Sequence, residues 1–307
     1  MSTLSQASAA ANMRGIVSLL AAQALFIGSD TVIKLAGEMM PPTEIMAVRG
    51  VMAVLLMGAF VAATIDAKRW RMAARPIVVG RSTLEAFLAF LFVVALPHLP
   101  LGDITVIGQV TPLALTVLSA VVLGETVGWR RWLAIAIGFV GVLLVIQPSG
   151  EGVNVYAIIA LFVAVLVAVR DIITRRLDHA IPTALVTFGA TLSVCFAGFV
   201  GAPFEEWKPL TPYGFALLAA SATLVSVANM FVVRAFRGVE VSVVSPFRYV
   251  AVVWAVLFGF LIWRDVPNAL AIVGTLIIIA SGLYTMRREA MRRRPAEPEE
   301  SVPDAHG

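Results

Sequence analysis

The chain has 307 residues, of which 60% are hydrophobic and only 14% charged, and its mean hydropathy is +0.92. A water-soluble domain carries about 25% charged residues, so the composition excludes an ordinary soluble fold and indicates an integral membrane protein. The net charge is +4, but the basic residues lie in short clusters between apolar runs, as they do in loops that flank membrane spans. Nucleic acid is therefore not an expected partner.

Two further features bear on the kind of chain this is. The first thirteen residues are polar and uncharged, and their small residues precede the first apolar run, so no cleavable signal peptide is predicted. Cys195 is the single cysteine and lies within an apolar run. We expect it to be a small buried hydrophobic residue.

Ten apolar runs are long enough to cross a bilayer as helices. We number them spans 1 to 10, at approximately 15–36, 43–64, 79–97, 102–123, 131–147, 154–174, 183–201, 213–233, 241–262 and 268–286. The predicted fold class is an all-α integral membrane protein with ten transmembrane helices.

The basic residues orient these spans. With a cytoplasmic N-terminus, most Lys and Arg lie at the inner ends of spans or in the inner loops, whereas the outer loops hold only Lys208 and Arg264. Both termini are therefore predicted to face the cytoplasm in the inner membrane. Residues 1–14 form a cytoplasmic N-terminal segment, and residues 287–307, basic and then rich in Pro and Glu, a disordered cytoplasmic tail.

The two halves of the chain, residues 15–147 and 154–286, resemble each other when one is displaced by 140 residues along the other. This displacement places Pro42-Thr43 on Pro182-Thr183, Gly58 on Gly198, Ala95 on Ala235 and Glu125 on Asp265, and one more residue places Asp30 on Asp171 and Lys34 on Arg175. Each half holds five spans, an odd number, so the second half enters the membrane in the opposite orientation. Inverted five-helix repeats are typical of secondary transporters.

Residues 95–145 resemble the EamA branch of the drug/metabolite transporter (DMT) superfamily: a proline in span 4, a Gly-Glu pair at its end and a glycine-spaced span 5. Residues 245–284 resemble an S-adenosylmethionine uptake-like, RhaT-like subgroup, although Arg264-Asp265 replaces the second Gly-Glu. The resemblance covers about residues 14–287. It implies a central cavity lined by spans 1–4 and 6–9, peripheral spans 5 and 10, and transport of small organic solutes, which in this family range from amino acids to nucleosides and vitamins.

Seven ionisable residues fall within the predicted spans. They are Asp30, Lys34, Arg49, Glu85, Arg170, Asp171 and Arg248. An Asp, Lys or Arg at the centre of a membrane helix costs about 2.5 to 3.5 kcal/mol, so such residues usually face a cavity or a partner. They are the candidate substrate-binding or gating residues, and their excess of one base favours an anionic or zwitterionic solute.

By depth, the first three of these residues are expected to form an outer gate or a substrate contact, and the other four an inner gate. Glu85 is also the candidate for proton coupling. The alternative is that Lys34 and Arg170 extend to the headgroups and that the others form structural ion pairs.

Uncharged residues extend the candidate site. Gln23, Gln109, Ser226 and Asn229 can bond a solute or hold helices together, and Tyr249 can stack on a planar ring or simply pack. Pro112 should kink span 4 and give either a cavity lining or a hinge, and Gly138, Gly141 and Gly274 should allow close helix packing.

No GxxxxGK[ST], HExxH or GxSxG motif occurs, and His98, His179 and His306 lack metal-ligand spacing, so no enzyme, cofactor or metal is predicted. The predicted function is a secondary transporter that moves a small organic metabolite by alternating access, driven by proton coupling or exchange. The alternative is a channel or a non-transporting membrane scaffold. The expected partners are the metabolite and membrane lipid, and a homodimer is left open.

Overall fold

The computed structural model describes residues 2–124, 127–147, 154–178, 180–236 and 241–292. In this part of the chain the regular structure is entirely helical. The α-helices are Ser2–Gly37, Pro42–Thr64, Pro76–Ala95, Leu101–Gly108, Thr111–Leu123, Trp129–Ile146, Val155–Arg175, Thr183–Gly201, Pro212–Phe236, Val241–Val244, Val250–Trp263 and Ala269–Arg292. Short 3-10 segments cover Ala67–Ala74, Leu96–His98, Ala202–Phe204 and Ser245–Tyr249.

Ten segments of the described chain are long and apolar enough to cross a membrane, which confirms the predicted all-α fold. They are Asn12–Gly37, Pro42–Thr64, Pro76–His98, Leu101–Val122, Trp129–Ile146, Val155–Arg175, Thr183–Phe204, Pro212–Val232, Ser245–Trp263 and Ala269–Arg288. Each begins and ends within four residues of its predicted boundary.

Spans 4 and 9 are interrupted. Span 4 consists of the helices Leu101–Gly108 and Thr111–Leu123, because Pro112 has no backbone N–H and its ring would clash with the carbonyl of Gly108 in a continuous helix. A kink was predicted at Pro112, and the structure has a break between two helices there. In span 9 the 3-10 segment Ser245–Tyr249 separates the short helix Val241–Val244 from the main helix Val250–Trp263. The segment long and apolar enough to cross a membrane begins at Ser245, four residues later than predicted. The interrupted spans hold the same place in the two halves, a common feature around transporter binding sites.

The helices at the two ends of the chain are longer than predicted. The first begins at Ser2, and the last continues to Arg292, six residues past the predicted end of span 10 at residue 286. Residues 287–292 were predicted to be disordered, but Arg, Ala, Met and Glu favour a helix there. Residues 148–153 and 293–307, together with Glu125 and His179, lie outside the described residues.

The spans pack in pairs that repeat between the two halves. Span 1 packs on spans 8 and 9, and its counterpart, span 6, packs on spans 3 and 4. Span 2 packs on span 8, and its counterpart, span 7, packs on span 3. The remaining principal pairs are 2 with 7, 4 with 9 and 5 with 10. If each span of one half is replaced by its counterpart in the other half, span 1 by span 6 and so on, the same set of packed pairs results.

Spans 5 and 10 cross at glycines. A Cβ atom on Gly141 would lie 2.8 Å from the carbonyl oxygen of Gly274, so the two backbones are in direct contact, and a Cβ on Gly138 would clash with Leu113. Beyond the crossing, Gln147 and Asn268 exchange side-chain hydrogen bonds of 2.7 and 2.9 Å. These contacts confirm the predicted packing role of the glycines.

Spans 2 and 7 cross in a similar way. Gly50 lies against Cys195, and Gly198 lies against Ala47. Cys195 is buried, with its Sγ atom 3.7 Å from the carbonyl oxygen of Ala47. The predicted packing role of the cysteine is therefore confirmed.

Spans 5 and 10 are antiparallel, so the start of span 5 lies beside the end of span 10. We call this side of the bundle the basic end, because Arg69, Arg75, Arg130 and Arg288 lie there. The other side is called the opposite end.

Candidate functional site

A cavity of about 480 Å³ lies at the centre of the bundle, within the range of about 300–1,000 Å³ typical of small-molecule sites. Spans 1, 2, 3, 6, 7 and 8 contribute its walls. Its polar lining consists of Arg49, Arg81, Glu85, Arg170, Thr187, Thr191, Ser226 and Asn229, and its apolar lining includes Phe26, Met46, Met57 and Val194. The resemblance implied a lining from spans 4 and 9 as well, but their described residues pack against each other and enclose separate cavities.

An ion-pair cluster forms one wall of this central cavity. Arg170 on span 6 donates to both carboxylate oxygens of Glu85 on span 3, at 3.1 and 3.2 Å, and to Asp171 at 2.7 Å. Arg81 lies one turn before Glu85 and contacts it at 3.2 Å. The carboxylates therefore hold the guanidinium groups of two spans together across the boundary between the halves.

Arg81 is a member of this cluster that sequence reasoning missed. Its position near the start of span 3 placed it among the basic residues at the span ends. Its side chain instead points into the bundle and donates from Nε to the Thr174 hydroxyl at 3.1 Å. The available signal was its spacing of four residues from Glu85, which places both on one helix face.

Arg49 extends into the central cavity from span 2. Its Nε atom is buried without a hydrogen-bond partner, and among the described residues no carboxylate lies within 4 Å of its guanidinium group. Asp30 on span 1 is the acid whose charge acts on it. Arg49 and Glu85 line the same cavity, whereas Asp30 acts on Arg49 from span 1 and is not one of the lining residues.

Lys34 does not join that pair, so the predicted outer group of three residues is wrong. Its ammonium group donates to the carbonyl of Leu99 and lies 4.8 Å from the ring centroid of Trp263. Asp103 and Asp265 are among the acids that act on it. The long side chain extends along the helix to the opposite end, but Lys34 is only 5% exposed and so does not extend to the headgroups.

Four other predicted residues border a second cavity. Gln109, Asp171, Arg248 and Tyr249 line a space of about 160 Å³ between spans 4, 5, 6, 9 and 10. Arg248 and Glu85 were predicted to share one inner gate, but they line different cavities. Spans 9 and 3, which carry them, are not one of the principal packed pairs. Asp171 connects the two cavities through its ion pair with Arg170.

The uncharged polar residues of span 8 do line the central cavity. Asn229 and Ser226 each donate a hydrogen bond to the carbonyl one turn earlier, at 2.8 and 2.7 Å. Their oxygen atoms remain available as acceptors in the cavity. Gln23 is not among the lining residues.

The ion-pair cluster between spans 3 and 6 has an uncharged counterpart where span 1 meets span 8. Ser29 on span 1 and Ser221 on span 8 are hydrogen-bonded at 2.8 Å and almost fully buried. In the alignment of the two halves, Ser29 corresponds to Arg170, 141 residues later, and Ser221 corresponds to Arg81, 140 residues earlier. The packing of the two halves is therefore alike, whereas their polar chemistry differs.

Comparison with known proteins agrees with this architecture. Residues 13–147 and 154–287 each match the EamA-like transporter family. A crystal structure of a protein with 18% sequence identity superposes with a TM-score of 0.61, over 94% of this chain and 99% of the other, which shows a shared fold.

Characterised relatives carry different solutes. The pseudopaline exporter CntI of Pseudomonas aeruginosa is 25% identical over 89% of this chain and 96% of its own. A riboflavin transporter of Rhizobium johnstonii is 27% identical over 74% of each chain, and an S-adenosylmethionine uptake transporter of Rickettsia felis is 27% identical over 64% of this chain and 67% of its own. These relatives are transporters and not enzymes, and the chain belongs to the EamA-like transporter family of the DMT superfamily.

Proposed function

We propose that the protein is a secondary transporter that moves a small organic metabolite across the inner membrane by alternating access to the central cavity. The observation that carries this proposal is that the spans of the two halves pack in equivalent pairs around a charged cavity. Because each half holds five spans, this packing supports an inverted repeat, in which the two halves rock about a central site. The arginines of the basic end favour a cytoplasmic location for that end and for both termini.

The lining of the central cavity favours a solute with an anionic group. Three arginines and one glutamate line it, and the glutamate already contacts Arg81 and Arg170. The guanidinium of Arg49 has no direct ion pair among the described residues and can bind a carboxylate in a two-point contact. Arg49 is therefore the proposed anchor for the solute, with Asn229 as a hydrogen-bonding partner beside it.

Contacts at the two ends are suited to alternate as gates. At the basic end, Arg75 lies 3.0 Å from Asp178, and Arg69 donates to the carbonyl of Ala180 at 2.6 Å. These contacts connect the segment after span 2 to the one after span 6. They are exposed and individually weak, so they can break and re-form during transport.

A second set of contacts closes the opposite end. The backbone N–H and the hydroxyl of Thr43 both donate to Glu205, at 2.9 and 2.6 Å, and Trp207 donates to the same hydroxyl. Lys34 adds its bond to Leu99. These contacts connect the start of span 2 to the segment after span 7, and span 1 to the segment between spans 3 and 4.

Glu85 is the proposed proton-coupling group. Both of its carboxylate oxygens contact arginines, and a proton that binds to Glu85 removes the negative charge on which those ion pairs depend. Opening of the ion pair and protonation would thus be linked to the movement of span 3 against span 6. Exchange of one solute for another requires no such step and is the alternative mode of coupling.

Counterflow in proteoliposomes tests the transport proposal. Vesicles with purified protein are preloaded with an unlabelled metabolite, and entry of the same labelled compound is followed for carboxylates, amino acids, riboflavin and S-adenosylmethionine. A carrier gives saturable uptake that the internal solute accelerates; a channel gives unsaturable flux, and a scaffold gives none. Arg49→Ala should abolish counterflow of an anionic solute, whereas Arg71→Gln, which removes an exposed arginine at the basic end, should retain it.

A further inference from the structure

The second cavity has a lining unlike that of the central one. Its basic residues come from three different spans: Arg131 from span 5, Arg175 from the end of span 6 and Arg248 from the start of span 9. Hydroxyl groups of Thr111, Thr116, Ser119, Ser245 and Thr285 complete the polar wall. At about 160 Å³ it is smaller than typical metabolite sites but has room for a compact anionic group.

Two polar groups in this wall are buried without hydrogen-bond partners among the described residues. Arg131 is 7% exposed and Tyr249 is 6% exposed. Neither the Nη2 atom of Arg131 nor the hydroxyl of Tyr249 makes a hydrogen bond to any part of the chain that the structure describes. A buried guanidinium with an unsatisfied N–H is costly in a protein interior. A bound anion at this position would satisfy it.

The charges around the cavity are not balanced by the protein. Within the described parts of the chain, none of Arg131, Arg175 and Arg248 has a carboxylate within 4 Å. Asp171 is the one acid among the lining residues, and it already binds Arg170. The cavity therefore carries an excess of positive charge that approaches from three directions, which suits a phosphate group because its several oxygens can each accept a bond.

A surface groove leads to the same arginine. Arg131 also lines a shallow space at the basic end with Arg130, Arg288 and Trp129. Trp129 is 70% exposed, and Trp132 and Leu133 beside it are exposed as well. Tryptophan and arginine at the end of a membrane span are typical of the headgroup region, and basic pockets between spans bind anionic lipid headgroups.

We propose that the second cavity, bounded by Arg131, Arg248 and Tyr249, is a binding site for a phosphate group, supplied either by the headgroup of an anionic phospholipid or by a free phosphate. The groove beside Trp129 gives a headgroup a route to Arg131 while the acyl chains lie on the apolar outer faces of spans 5 and 10. The site is separate from the central cavity. It is therefore expected to bind its anion whether or not a transported solute is present.

The test uses the full-length protein, purified and delipidated in a neutral detergent. Its melting temperature is measured with added phosphatidylglycerol, phosphatidylcholine or inorganic phosphate, and retained lipid is counted by native mass spectrometry. Phosphatidylglycerol should raise the melting temperature and remain bound, whereas phosphatidylcholine, which has no net charge, should do neither, since only a bound ligand stabilises the folded state. An equal response to inorganic phosphate alone would identify a soluble ligand at the same site.

Arg131→Gln should weaken binding of the responding ligand by about tenfold, because a charged hydrogen-bond donor is lost. Arg131→Lys should retain part of the response. Arg71→Gln is the matched control and should behave as the wild type. If Arg131→Gln does not fold, Arg248→Gln, at an exposed position on the same cavity, takes its place. A response unchanged in these variants, or no response to either ligand, would overturn the proposal.

Discussion

Arg170 on span 6 reaches across the boundary between the two halves and places its Nη1 atom 3.1 Å from one carboxylate oxygen of Glu85 on span 3 and 3.2 Å from the other. The same guanidinium holds Asp171 through Nε and Nη2. One side chain thus satisfies two acids within the predicted membrane. Its removal would leave both acids without their main partner.

We therefore expect Arg170→Leu to lower the melting temperature of the protein in detergent. A hydrogen bond to a charged group contributes about 1.5–3 kcal/mol, and Arg170→Lys should recover part of the loss because it retains the charge. The matched control is Arg75→Leu, which removes the exposed ion pair with Asp178; such pairs contribute about 0–1 kcal/mol. Equal melting temperatures for the two leucine variants would contradict a structural role for the Arg170 cluster.

Replacement of Glu85 tests proton coupling. Glu85→Gln keeps the size of the side chain and can still accept hydrogen bonds, but it cannot exchange a proton. We expect the variant to bind solute in a thermal-shift assay while its uptake loses its dependence on pH. Glu206→Gln, which removes an exposed acid, should leave that dependence intact. A Glu85→Gln profile that matches the wild type would exclude Glu85 from the coupling step.

The glycine crossing of spans 5 and 10 predicts a difference between two alanine substitutions. Gly141→Ala places its Cβ 2.8 Å from the carbonyl oxygen of Gly274 and must separate the helices, so the melting temperature should fall. The Cβ of Gly80→Ala, on span 3, meets no atom of the described residues within 4 Å, so this substitution should be neutral or stabilising by up to about 1 kcal/mol. If Gly141→Ala is equally well tolerated, the two spans are not in the close contact described here.

Thiol labelling tests access to the central cavity. Cys195 is the single cysteine and is buried against span 2, so it should react slowly with a small maleimide. Ser226→Cys introduces a thiol on the cavity wall, which should react faster and be protected by a bound solute. Ser29→Cys, at a position 1% exposed in the contact between spans 1 and 8, is the control and should be as slow as Cys195. Slow labelling of Ser226→Cys would mean that the cavity is closed to the reagent.

The fold was predictable because its signals are local. Runs of apolar residues predicted the ten spans, and Pro112 predicted a kink where span 4 is broken, since both signals depend on the residues in one stretch of chain. The direction of a long side chain is not local. Lys34 shares a helix face with Asp30, yet its amine reaches Leu99 and Trp263, and only the packed structure shows this.

The charged sites were predicted less completely for the same reason. Arg81 and Arg131 lie near the starts of spans 3 and 5, where sequence analysis assigns basic residues to the membrane surface. Whether such a residue points outward or into the bundle depends on which spans pack beside it. The neutral contact between Ser29 and Ser221 gave no sequence signal at all, because serines are common in membrane helices.

That neutral contact has a consequence for the energetics of transport. Where span 1 meets span 8, two serines form a dry contact, whereas the equivalent meeting of spans 3 and 6 is ionic and partly open to water. If the two halves move as proposed, the inward-facing and outward-facing states do not break equivalent contacts and should be unequally populated without solute. A difference of about 1.4 kcal/mol between them is a tenfold preference, which a solute can reverse only by binding the rarer state more tightly. A protein with this architecture would thus have a preferred resting orientation set by one pair of serines and one cluster of charged side chains.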